Sequence, residues 1–241
     1  MKKQGLLIGF LVLTVACNMT TPIPASESAP MATLPSTPVP APTTPTDSPL
    51  PTPHPRYFSD EFESHSLFWQ FFQTGGIDSP LSMIENGVLR INISSRDTWF
   101  LGIHNAHTYS NVVVQAKISA GSAGSMGLVC RYTESDGWFE FNIASDGSYS
   151  VLLGRWLAPG IAKYIPIAAD GSKLLAAGNI NHEIGLSCEE NTLNLYVGET
   201  LLRRLDVTNY GLTRGNIGVT AASFEEAPMT AFFEWVRVSG E

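Results

Sequence analysis

Apolar and polar residues alternate through most of the chain beyond residue 56. Between residues 126 and 132, Met126, Leu128, Cys130 and Tyr132 share one face, and Gly127, Val129 and Arg131 share the other. The next run sets Phe139, Phe141 and Ile143 against Trp138, Glu140 and Asn142. A period of two marks a half-buried strand, because successive side chains point to opposite faces of a sheet. Asp136-Gly137 and Asp146-Gly147 tolerate the positive φ angles of tight hairpin turns. Residues 124–154 therefore predict three antiparallel strands. Arg131, Trp138, Glu140 and Asn142 fall together opposite the apolar face and form the candidate working surface.

The same signals recur on both sides. Tyr57–Phe62 reads as loop and short strand, and Leu67–Gln73 as a strand, in a stretch dense in aromatics. Such clusters predict core, since each ring buries about 150–250 Å². Asn86-Gly87 joins Leu81–Glu85 to Val88–Ile93 as a hairpin. Further strands are predicted at Trp99–His104, Asn111–Ile118, Ile180–Cys188, Thr192–Val197, Thr200–Asp206, Asn216–Ala222 and Thr230–Val238. Residues 155–178 are less regular. About a dozen short strands without a helix predict an all-β, two-sheet antiparallel sandwich.

The first 55 residues of the 241 break this pattern. Lys2 and Lys3 precede an apolar run from Leu6 to Val15, too short for a transmembrane helix, which needs about 20 residues. That is the form of a secretory signal. Residues 13–17, Leu-Thr-Val-Ala-Cys, resemble a bacterial lipobox, which implies a diacylated Cys17 as the mature first residue. Residues 18–55 hold 12 of the 16 prolines, among Thr, Ser and Ala. Such a segment buries too little apolar surface to fold and favours extended chain, on the order of 100 Å at full reach. The expected organisation is a signal peptide at 1–17, a disordered linker at 18–55 and one β-sandwich domain at 56–241. The product is expected to be exported and anchored at Cys17 to the outer side of a bacterial membrane. A net charge of −8 with no basic stripe argues against nucleic acid as a partner.

The order of GLVCRY, GWFEFNIASDGSYSVL, INHEIGLSCEENTLNLYVGETLL, GNIGVTAAS and FFEWVRV resembles concanavalin A-like jelly-roll domains. It is similar to their laminin-G-like and 3-keto-disaccharide hydrolase-like branches. The opening Phe58-Ser-Asp-Glu-Phe62 with Trp69 fits the same pattern. The resemblance covers residues 56–241. It implies a curved sandwich with its terminal strands close together, and often sugar binding on the concave face.

Candidate chemistry follows from these readings. With Cys17 lipidated, Cys130 and Cys188 remain; an even pair in an exported domain favours a disulfide over two separate buried thiols. Without suitably spaced histidines the pair makes no zinc site. Some jelly-roll glucanases carry Glu-x-Asp-x-x-Glu on one strand. Here Glu140 is followed by Asn142 and Ser145, so that motif is broken. His104 and His107 lack acidic neighbours for a metal site. No cofactor is expected; family analogy leaves room for calcium at Asp60, Glu61 and Asp206. The leading expectation is a non-catalytic carbohydrate-binding domain for environmental or cell-envelope glycan. Trp138 would stack on a sugar and Arg131, Glu140 and Asn142 would contact it, with Trp99, Tyr149 and Trp156 as weaker candidates. The alternatives are a glycoside-processing enzyme of the keto-disaccharide hydrolase type and a protein-interaction domain of the envelope.

Overall fold

The computed structural model describes residues 54–121 and 123–240. The signal-like segment, Cys17 and the Pro-rich stretch through Pro53 lie outside the described residues. Among the described residues, fifteen strands form two antiparallel sheets packed face to face. The first sheet runs β13 (Thr200–Asp206), β12 (Thr192–Val197), β11 (Ile180–Glu189), β6 (Val112–Ala120), β15 (Met229–Ser239), β4 (Val88–Ile93) and β3 (Leu81–Glu85). A short β1 (Phe58–Asp60) pairs with β15, so the first and last strands adjoin. The second sheet runs β10 (Ile161–Gly171), β9 (Ser148–Ala158), β8 (Gly137–Ala144), β7 (Ser125–Thr133), β14 (Gly215–Ser223), β5 (Thr98–Tyr109) and β2 (Trp69–Gly75).

The predicted alternation decides which residues meet between the sheets. Val112, Val114, Ala116, Ile118 and Ala120 of β6 are buried, and the residues between them are half-buried. They face Leu128, Phe139, Phe141, Val151 and Val219 of the second sheet. Cys130 of β7 and Cys188 of β11 form a disulfide that joins the two sheets inside this core, both fully buried.

Two places depart from the sequence reading. Residues 155–178 were expected to be irregular. Instead Arg155 and Trp156 continue β9, and β10 pairs back along it from Ile161 to Gly171. Pro159-Gly160 makes the turn, with Gly160 at φ 73°. Pro166 is tolerated because β10 is an edge strand and needs no second row of backbone donors.

The second departure is a bulge in β7. Cys130 pairs with Phe139, but the next paired residue is Thr133, opposite Gly137. Arg131 takes φ 55° there. The extra residue reverses the faces beyond it. Tyr132 moves out of the inter-sheet core and joins Trp138 on the other face. Arg131 leaves the face of Trp138 and Glu140 altogether. Its guanidinium donates to the carbonyls of Leu212, Glu190 and Ser110 at 2.7, 2.6 and 3.3 Å. Burial pushes its pKa down. Arg131 is thus a tie between loops and does not join Trp138, Glu140 and Asn142 on the expected working surface.

The aromatic opening of the domain encloses His104. This fully buried residue of β5 packs against the rings of Phe58, Trp69 and His54, and neither ring nitrogen has a partner among the described residues. The carbonyl of His54 meets Nε2 of His107 at 2.8 Å. Burial, and then the adjoining His54 and His107, lower the His104 pKa from 6.5 to about 4. The unfolded chain therefore takes up this proton more readily than the folded one. Stability from this site is complete above about pH 6.5 and falls as pH drops towards 4. Allowing for solvent screening past half-exposed His54, the loss between pH 7 and pH 5 is about 1–2 kcal/mol. A His104→Phe variant is expected to flatten this slope in urea denaturations at the two pH values. An unchanged slope would show that His104 is not its source.

Candidate functional site

The second sheet curls until its edges meet. In a flat sheet, six strand spacings would put β10 and β2 roughly 29 Å apart. Here the backbone N–H of Ala162 on β10 donates to Thr74 Oγ1 on β2 at 3.0 Å. Tyr164 of β10 stacks on Trp99 of β5, with ring centroids 5.1 Å apart. The concave face is therefore the inside of a nearly closed barrel. Leu101, Ile103, Val129, Tyr132 and Trp138 are buried in it, and Phe72, Trp99, Trp156 and Tyr164 pack on them.

Trp138, Glu140 and Asn142 lie along one wall of this barrel, as the alternation of β8 requires. Trp138 and Glu140 have no exposed surface. The Trp138 ring lies across Gly154 of β9, where a Cβ would stand 2.2 Å from Cε2, so a side chain there would displace the ring. Trp138 Nε1 donates to Glu140 Oε2 at 2.9 Å. Asn142 Nδ2 and Thr220 Oγ1 donate to Oε1 at 2.8 and 3.2 Å. Burial raises the Glu140 pKa, against these three hydrogen bonds, which lower it. The Tyr164 hydroxyl is buried nearby without a partner among the described residues. Its pKa is raised by burial first and by Glu140 second.

The barrel is open at both ends. At the end beyond Asn142, a cavity of about 720 Å³ has Ser125, Asn142, Ser145, Asp146, Ser148, Tyr149, Ser150, Phe224, Glu225 and Glu226 in its lining. Phe224 is 38% exposed, and its ring stands edge-on to Trp99 at 5.4 Å. Among the described residues, no Lys, Arg or His lines this cavity. At the other end, Phe72, Tyr132, Trp156, Leu157 and Pro159 line a cleft of about 480 Å³. There Trp156 Nε1 donates to the Tyr132 hydroxyl at 3.0 Å.

The candidate residues are thus divided. Asn142 reaches the polar cavity; Tyr149 adjoins it, but its ring is buried in the core between the sheets and its hydroxyl accepts from Arg203 at 3.0 Å. Trp156 reaches the aromatic cleft, and Trp99 lies between Phe224 and Tyr164. Trp138 and Glu140 are sealed between the two openings, and Arg131 is elsewhere. Phe224 and the serines were not singled out from the sequence. Phe224 sits in a loop after β14, where no strand period points to it. Asp60, Glu61 and Asp206 are held locally: Asp60 by Trp69 Nε1 and the N–H of Phe62, Glu61 by Ser59, and Asp206 by Thr208. Among the described residues, no three His, Cys, Asp or Glu side chains are grouped to hold a metal.

No protein-family model and no curated protein matches the sequence. Solved structures do resemble its fold. An endo-acting O-glycanase from members of the human gut microbiota matches at TM-score 0.54 and 12% identity, over 75% of this chain and 97% of its own. A Bacteroides ovatus mixed-linkage glucan hydrolase of glycoside hydrolase family 16 matches at 0.51 and 7%, over 76% and 99%. A Bacillus subtilis carbohydrate-binding module matches at 0.48 and 14%, over 67% and 91%. The chain has the concanavalin A-like jelly-roll fold of the two glycanases.

Proposed function

We propose that the protein is an exported, lipid-anchored glycan-binding protein that holds its ligand in the polar cavity at the open end of the concave face. The observation that carries this reading is the lining of that cavity. Four serines and Asn142 offer hydroxyl and amide groups, Asp146, Glu225 and Glu226 offer acceptors, and Phe224 presents a half-exposed ring. That is the pairing of polar groups with an aromatic surface that a sugar ring, polar at its edge and apolar on its face, requires. At about 720 Å³ the cavity lies in the ordinary range for small-ligand sites. The similarity of fold to glycanases favours the same ligand class.

Binding without catalysis is the reading favoured by Glu140. Retaining hydrolysis uses two carboxyls about 5–5.5 Å apart. Glu140, the acid that remains of the strand motif, is fully buried and its carboxylate is taken up by Trp138, Asn142 and Thr220, which leaves it no open face towards a sugar. Attachment at Cys17 would hold the domain outside the membrane on the Pro-rich linker.

The test is a glycan-array screen of the full chain with the Cys130–Cys188 bridge intact, followed by titration of the strongest neutral oligosaccharide. Phe224→Ala is expected to weaken that binding about tenfold, or ~1.4 kcal/mol, with an unchanged urea midpoint. Equal affinity in the variant would remove the cavity as the site. Cys17→Ser is expected to abolish lipid labelling and membrane fractionation; retention of both would refute the anchor.

A further inference from the structure

We propose that β10 is a movable strap, and that lifting it uncovers a second, concealed sugar subsite on the faces of Trp99 and Trp138. This rests on the glycan reading and extends the polar cavity inward. Four observations carry it.

The seam that closes the barrel is slight. Among the described residues β10 and β2 share no ladder, and one hydrogen bond, Ala162 N–H to Thr74 Oγ1, joins them. The hold of β10 on β9 is itself interrupted. The register shifts at Ile161/Ala162 and again at Pro166/Ala168, and Pro166 has no N–H to give. Its outward side chains include Ile161, which is 56% exposed.

Tyr164 occupies the place a sugar would take. Its ring stacks on Trp99 at 5.1 Å and meets Trp138 edge-on at 5.9 Å. The Trp99 face that Tyr164 covers is a broad apolar platform for the apolar face of a sugar ring. The Tyr164 hydroxyl finds no partner in this closed state, which lowers the cost of leaving it.

The concealed floor is continuous with the open cavity. Asn142 lines the cavity and donates to Glu140, and Glu140 accepts from Trp138. A short sugar fits the cavity with the strap closed. A longer one displaces Tyr164 and runs on to Trp99 and Trp138.

The test locks the seam in the full chain with Thr74→Cys/Ala162→Cys, oxidised, and then opened by mild reductant that spares buried Cys130–Cys188. The probes are a β-glucan disaccharide and hexasaccharide. Locking is expected to abolish hexasaccharide binding and leave disaccharide binding unchanged. Tyr164→Ala is expected to tighten hexasaccharide binding at least tenfold, a gain that a purely structural role for Tyr164 would not produce. Equal hexasaccharide binding by locked and open forms would overturn the strap while leaving the cavity as a glycan site. Residue-resolved hydroxyl-radical footprinting of Trp138 decides the strap without any sugar. Labelling faster than global unfolding, suppressed by the lock, supports it. Labelling no faster than unfolding overturns it, whatever the binding result.

Discussion

Trp138→Ala is expected to lower the free energy of unfolding by about 3–5 kcal/mol. The ring is fully buried and contacts Tyr132, Trp156 and Tyr164. Truncation leaves a cavity over Gly154, which has no side chain to fill it. It also takes from Glu140 one of three donors while the carboxyl stays buried. Both effects act in the same direction. Read from the sequence as an exposed stacking platform, Trp138 should have been replaceable without harm to the fold. Urea denaturation at pH 7 separates the two views. A loss below about 1 kcal/mol would mean that the barrel interior is not packed around this ring.

Loss of the inter-sheet disulfide has an effect of similar size. Cys130 and Cys188 are 58 residues apart. Chain-entropy estimates for a loop of that length give about 4 kcal/mol. The bridge joins β7 to β11 at the centre of the core, so the unfolded chain it restrains spans both sheets. Cys130→Ala/Cys188→Ala should lower the urea midpoint accordingly. Reductant under denaturing conditions should bring the native protein to the same midpoint and leave the variant where it is. A native midpoint indifferent to reductant would mean that the bridge contributes nothing to stability.

Much of the fold was legible because it rests on local rules. The alternation in β6 foretold which side chains are buried. Asn86-Gly87, Asp136-Gly137 and Asp146-Gly147 marked turns, with Asn86, Gly87, Gly137 and Gly147 all at positive φ. The disulfide followed from counting cysteines in a chain expected to be exported. What escaped was set over distance. A single extra residue in β7 exchanged the faces of Arg131 and Tyr132, and nothing local to Cys-Arg-Tyr-Thr announces it. The period of β8 correctly grouped Trp138, Glu140 and Asn142, but a period does not say whether a face opens to water. That depended on curvature, sealed by Ala162 and Thr74 from opposite edges of the sheet. Sheet closure turned the expected working surface into a second small core and left the open surface at its ends. Phe224 became a candidate only because that end is open.

The most direct test of glycan recognition at the polar cavity is NMR chemical-shift mapping of the full chain with neutral oligosaccharides from the array. Saturable shifts should centre on Ser125, Asn142, Ser150 and Phe224, and in Phe224→Ala should need about tenfold more ligand to reach the same midpoint. Shifts confined to the outer face of the first sheet, or none with any glycan, would contradict it.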